Sequence, residues 1–156
     1  MTEPGILFTL KTAGESSIDH GRAFAATYQL TGHAWVDGSS LVIEWGGSSD
    51  ITEVGPGLVR QATRPIPVGR VTVPVARLVG IELRGRWWRP RIELISFDPG
   101  AFSAVPSGAG GRLRLYLPRH QMAPAQEWVT TVKLEMADHA LRAAEAEDQL
   151  PPPSPE

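Results

Sequence analysis

The densest chemistry in the chain lies in eight residues, Arg84-Gly85-Arg86-Trp87-Trp88-Arg89-Pro90-Arg91, with four guanidiniums, two adjacent indoles and no carboxylate. A guanidinium is planar, permanently charged and able to grip a carboxylate or phosphate with two parallel hydrogen bonds. An indole adds a stacking face and attracts cations over its ring. Placed at a hairpin tip, the set suits a phosphate, a nucleobase or a membrane interface. The same residues have a purely structural use, with Arg guarding a sheet edge and Trp closing the mouth of a barrel. Successive strand residues point to opposite faces, so at most one of Trp87 and Trp88 is expected in the core. Arg112 and Arg114 share the outward parity of their strand and either extend this patch or meet Glu127 and Glu135 of a C-terminal helix. The helix acids are the expected partners.

Catalytic sets are harder to find. The four histidines, His20, His33, His120 and His139, show no i, i+2 or i, i+4 pair, and there is no Cys, so metal ligation and thiolate chemistry are not expected. Asp19-His20 beside Ser16-Ser17 holds the residue types of a hydrolytic site, but no G-x-S-x-G turn presents a nucleophile. Glu127 and Glu135 stand eight apart, outside a carboxylate–metal motif, and read as a solvated helix face. Gly46-Gly47 and the cluster Gly108, Gly110, Gly111 match neither phosphate-binding glycine pattern and read as turns. The expectation is a protein without enzymatic activity, metal or cofactor. A weaker alternative is an enzyme whose site lies near Asp19, His20 and Asp50.

Charge is unevenly laid out behind a net of −2: residues 1–59 carry −5, residues 60–119 carry +8 and residues 120–156 carry −5. A basic centre between acidic flanks marks either an anionic partner or a fold that pairs its own segments, and the internal reading is preferred. No apolar run reaches the ~18–20 residues of a membrane span, and MTEPGILFTLK lacks the basic flank of a secretory signal, so a cytoplasmic location is expected.

The elements that must position these groups are mostly β. Ile6, Phe8 and Leu10 alternate, residues 12–22 read as a loop, and residues 23–45 form a hairpin turning at Asp37-Gly38. Residues 46–57 read as a polar, glycine-rich connection with room for a brief strand. Val71, Val73 and Val75 alternate, but Pro74 removes a ladder donor and places that strand at an edge or a bulge. Val79, Ile81 and Leu83 share a face, as do Ile92 and Leu94, and as do Leu113, Leu115 and Leu117. Between them, residues 98–111 read as a mobile loop. From Pro124 the period changes, and Ala125, Trp128, Val129, Val132, Met136, Ala140 and Ala143 form one helical stripe. The expected domain covers 23–147, with the strand and loop of 1–22 attached and a disordered Pro-rich tail at 148–156.

Strands followed by one amphipathic helix bury their surfaces most simply when the helix covers a partly open antiparallel barrel or bent sheet. In VPVARLVGIELRG (73–85), RPRIELISFDPGAF (89–102) and GRLRLYLPRHQMAPAQEWVTTV (111–132), the chain resembles the small bacterial PH-like domains, over roughly residues 28–145. That resemblance implies a pleckstrin-homology superfold, and with no catalytic set in view the first expected function is binding a protein or peptide through an edge of the sheet or the groove beside the helix. A nucleic acid or acidic membrane gripped by Arg84, Arg86, Trp87, Trp88, Arg89 and Arg91 is the alternative. The first hairpin, GHAWVDGSSLVIEW (32–45), departs from the phosphoinositide-binding pattern, with no Lys or Arg and two acids. Inositol-phosphate recognition there is not expected. Self-association through an exposed strand at 111–118 is a further possibility.

Overall fold

The computed structural model describes residues 5–10, 15–19, 21–106 and 108–154, without the side chains of Glu15, Ser16 and Asp19. Eight strands precede one long helix: β1 (Gly5–Leu10), β2 (Glu15–Asp19), β3 (Arg22–Asp37), β4 (Ser40–Gly55), β5 (Leu58–Pro74), β6 (Leu78–Arg84), β7 (Arg91–Ser96), β8 (Arg112–Tyr116) and α1 (Met122–Asp148). They form one antiparallel sheet in the order β5-β4-β3-β1-β8-β7-β6, with β2 added beside β3. The sheet does not close, since β5 and β6 remain at its ends.

Alternation decides which face is buried. Ile6, Phe8 and Leu10 of β1, Leu30, Ala34 and Val36 of β3, and Leu41, Ile43 and Trp45 of β4 point into one core. Ile92 and Leu94 of β7 and Leu113 and Leu115 of β8 complete it from the other half of the sheet. The helix lies over β1, β6 and the short 3-10 turn Val75–Arg77, and buries Ala125, Trp128, Val129 and Val132. Each larger side chain so buried contributes about 1.5–3 kcal/mol, which holds the helix down without a capping side chain at its start. The apolar stripe outruns this contact. Met136 is half-buried against the core, but Ala140 and Ala143 are exposed, correcting the expectation of one buried stripe along the whole helix. Among the described residues no helix is long and apolar enough to cross a membrane.

Three loops of the sequence reading are corrected. Residues 46–57 do not interrupt β4, which continues to Gly55 and returns at Pro56-Gly57 into the 17-residue β5. Proline at the first central position and Gly57 at φ 73° at the second satisfy a tight turn, so strand pairing persists to its end. Within 12–22, Glu15–Asp19 is a strand, because the first half of β3 offers it an unoccupied edge. The described residues of 98–111 form no strand, as expected, but they are packed rather than loose. Successive turns bring Phe102 and Val105 into the core, and Gly100 N donates to Asp98 Oδ1 at 2.9 Å. In β6 a register shift between Leu78 and Gly80 turns Val79 out to solvent and Leu78 in, so Val79 leaves the face it was expected to share. Pro67 lies where β5 shifts register opposite Trp45 and Gly47, and Pro74 ends that strand at the sheet edge, the two positions a strand proline tolerates.

Beyond the core, the distal halves of β3, β4 and β5, with β2, form a four-stranded extension. Strands of 16 residues reach roughly 50 Å at 3.2–3.4 Å per residue, more than the core needs. Among the described residues of this extension only Ala26 and Ser49 are buried.

Candidate functional site

Arg84 and Arg91 are register partners at the last rung of the β6–β7 hairpin, so residues 85–90 form its tip. Gly85 starts the tip at φ 91°, where a side chain is strained, and a Cβ there would also overlap the Arg89 carbonyl oxygen. Arg89 N donates to Arg86 O at 2.8 Å, making Arg86-Trp87-Trp88-Arg89 a turn. In a turn the two-residue period of a strand no longer applies. Both indoles therefore face solvent, at 66% exposure for Trp87 and 40% for Trp88, and neither fills the core. The rings meet edge to face, centroids 5.7 Å apart and planes at 89°.

Guanidiniums cover one face of each indole. Arg86 sits over Trp88 at 4.9 Å, and Arg119, from the turn before α1, sits over Trp87 at 4.9 Å. The base of the tip is tied to the same turn, since Leu117 N donates to Pro90 O at 3.0 Å. Among the described residues no carboxylate pairs with Arg86, Arg89 or Arg119. The first two of these stand out in the sequence by their clustering, whereas Arg119 lies 28 positions beyond Arg91 and joins the tip only through the end of β8. No local pattern announces such a meeting.

Below the tip the outer face of β6, β7 and β8 is organised around Glu93. Its carboxylate receives Arg91 Nε at 3.1 Å, Arg84 Nε at 3.3 Å and Arg114 Nε at 3.4 Å, while Arg84 also pairs with Glu82. The hydrogen bond from Arg91, with the further attraction of Arg84 and Arg114, holds the Glu93 carboxyl below its ordinary value of 4.5. Arg84 and Arg91 are thus committed to carboxylates and support the tip, while Arg86 and Arg89 stay available. The expected pairing of Arg112 and Arg114 with the helix acids does not occur. Leu113 and Leu115 take the face toward the core, so even-numbered residues of β8 point away from the helix, where Arg114 meets Glu93. The internal reading of the charge pattern holds in part. Glu44 of the acidic N-terminal segment receives Arg70 Nε at 3.0 Å, but the basic centre otherwise pairs with its own Glu82, Glu93 and Asp98.

This network gives a pH-dependent expectation. The folded-state pKa of Glu93 is depressed, so its stabilisation is fully present above the unfolded value near 4.5 and is lost as pH falls through the folded value. Glu93→Gln should cost about 1–2 kcal/mol at pH 7 and progressively less below pH 4.5, as read by urea unfolding across that range. Equal losses at pH 7 and pH 3 would contradict the charge pairing.

Other places named by the sequence hold less. His20 lies outside the described residues, as do the side chains of Ser16 and Asp19. Asp50 accepts a 2.8 Å hydrogen bond from Thr63 Oγ1 within the sheet. His33 stacks on Trp35 at 5.0 Å, and among the described residues no three His, Asp or Glu side chains group to hold a metal. The hairpin 32–45 turns as expected, and its Glu44 pairs with Arg70. An open groove of about 420 Å³ on the face opposite the helix is lined by Leu7, Thr31, His33, Glu44, Val68 and Pro118. Chemically, the tip can hold an anion, stack a planar group or sit in an interface.

No family model, curated protein or solved structure matches the chain.

Proposed function

We propose that the chain is a non-enzymatic, PH-like interaction domain that binds an acidic protein or peptide through the β6–β7 tip. An antiparallel sheet ending in a helical lid is compatible with that architecture. The observation that carries the binding surface is the tip itself: two exposed indoles, each with a guanidinium over one face, and three Arg without a carboxylate partner among the described residues. Trp and Arg dominate the few residues that supply most of the energy of protein interfaces. Their carboxylate-free placement selects for negative charge.

A second reading, an acidic membrane or a nucleic acid at the same tip, is favoured by the face beneath it. Arg84, Arg86, Arg89, Arg91, Arg112, Arg114 and Arg119 stand there against Glu82 and Glu93. The test is recovery of bound material from cells by the full chain, alongside Trp87→Ala, Trp88→Ala and the triple reversal of Arg86, Arg89 and Arg119 to Glu. Loss of an interface anchor of about 2 kcal/mol lowers affinity roughly 30-fold, so each Trp variant should recover far less partner. Recovered nucleic acid or acidic lipid, lost steeply with salt, would move the assignment to the second reading. Capture unchanged in all three variants would remove the tip as the binding surface.

A further inference from the structure

The four-stranded extension has two faces of different character. Register places Ile18, Ala23, Val54 and Val59 in one row across β2, β3, β4 and β5 on the outer face, with Ala25, Thr52 and Gln61 in the next row. Neither row carries a charge among its described side chains. Of the charges of the extension, Arg22, Glu53, Arg60 and Arg64 stand on the opposite face by the same alternation, while Asp50, one row beyond Thr52, stands on this face and accepts a hydrogen bond from Thr63. A sheet solvated on both sides has no reason to segregate its residues in this way, whereas one covered on a single side does.

The shape of the neutral face is also particular. Ile18 projects from it at 85% exposure, and beside it lies an open hollow of about 500 Å³ floored by Ala23 and Ala25 and flanked by Thr52 and Val54. One face thus carries both a protruding apolar side chain and a recess lined by small ones. That is what a two-fold interface requires, because each copy must offer the knob and the hole together. Where the two named rows meet their counterparts no like charges oppose, and their small side chains permit the roughly 10 Å spacing of packed sheets.

We infer that this outer face is where a second copy of the chain docks, with Ile18 of each copy seated over Ala23 and Ala25 of the other. The surface is remote in register from the β6–β7 tip, so dimerisation leaves the tip free.

Sedimentation equilibrium on the full chain tests this, from about 1 to 200 μM, the range in which an interface of modest size self-associates. The expected result is the mass of two chains at the upper end. Ile18→Lys, which puts a charge in the seam, and Ala25→Phe, which fills the recess, should each weaken association at least about 30-fold, the factor expected for a lost anchor. Arg64→Glu on the opposite face should leave it unchanged, and far-UV circular dichroism checks that all variants stay folded. A wild-type monomer throughout that range, or a dimer unaffected by both Ile18→Lys and Ala25→Phe, overturns the inference.

Discussion

Trp128→Ala should lower the free energy of unfolding by about 3–5 kcal/mol, while Trp128→Phe should stay within about 1.5 kcal/mol of the parent. Trp128 is the largest side chain that α1 buries, and it enters the same core as Phe8, Leu94 and Leu115. Truncation to Ala removes that buried area and leaves a cavity that a helix and a sheet cannot both relax to fill. The indole has a second property. Its Nε1 is buried with no hydrogen-bond partner among the described residues, so the native state bears the cost of desolvating an unsatisfied donor. Phe loses some packing volume but also sheds that donor, and the two effects oppose. Urea unfolding of the three proteins, with slopes compared to confirm two-state behaviour, measures both differences. A Phe variant as unstable as the Ala variant would mean that the N–H is satisfied after all.

Gly32→Ala is the second large expected effect, at about 3 kcal/mol, the upper end of the usual cost of overpacking. Gly32 lies in the middle of β3, opposite Trp45, where a strand glycine normally weakens the sheet. It is needed because a Cβ there would overlap both the Glu44 carbonyl oxygen and the ring of Phe8. Phe8 is buried to 2% exposure, so its ring has little room to withdraw, and the Glu44 carbonyl belongs to the neighbouring strand. The same pattern recurs at Gly69, where a Cβ would strike the Trp45 indole. Gly80 of β6 is the control, since a Cβ there meets nothing within 4 Å. Thermal denaturation should place Gly32→Ala roughly 6–12 °C below the parent, at 2–4 °C per kcal/mol for a chain of this size, and Gly80→Ala close to it. Equal shifts for the two would show that the close approach of Phe8 to β3 carries no energy.

These two sites share a lesson about what can be read from the chain. Trp128 was visible as a buried residue because Ala125, Val129 and Val132 repeat around it with helical period. Gly32 sits within a legible strand, yet nothing near it in sequence says that Phe8, 24 positions away, crosses its backbone. The β6–β7 tip divides in the same manner. Arg86, Trp87, Trp88 and Arg89 stand out by composition alone. That both indoles are exposed depends on the turn at Arg86–Arg89, and that Arg119 joins them depends on the course of β8. The commitment of Arg84, Arg91 and Arg114 to Glu93 likewise follows from the pairing of three strands.

By itself the sequence determined the elements that have one buried face: β1, the proximal halves of β3 and β4, β7, β8 and the first half of α1. Burial forces apolar residues into a period of two or 3.6, and that period survives in the order of residues. Only the tertiary structure decided the distal strands, the place of β2 and the burial of Phe102 and Val105. In the distal strands hydrogen bonding between backbones supplies the order and the rest of the chain covers little of either face, so folding of the single chain requires no periodic signal of the side chains. Phe102 and Val105 reach the core from a series of turns, where no regular spacing links one buried residue to the next.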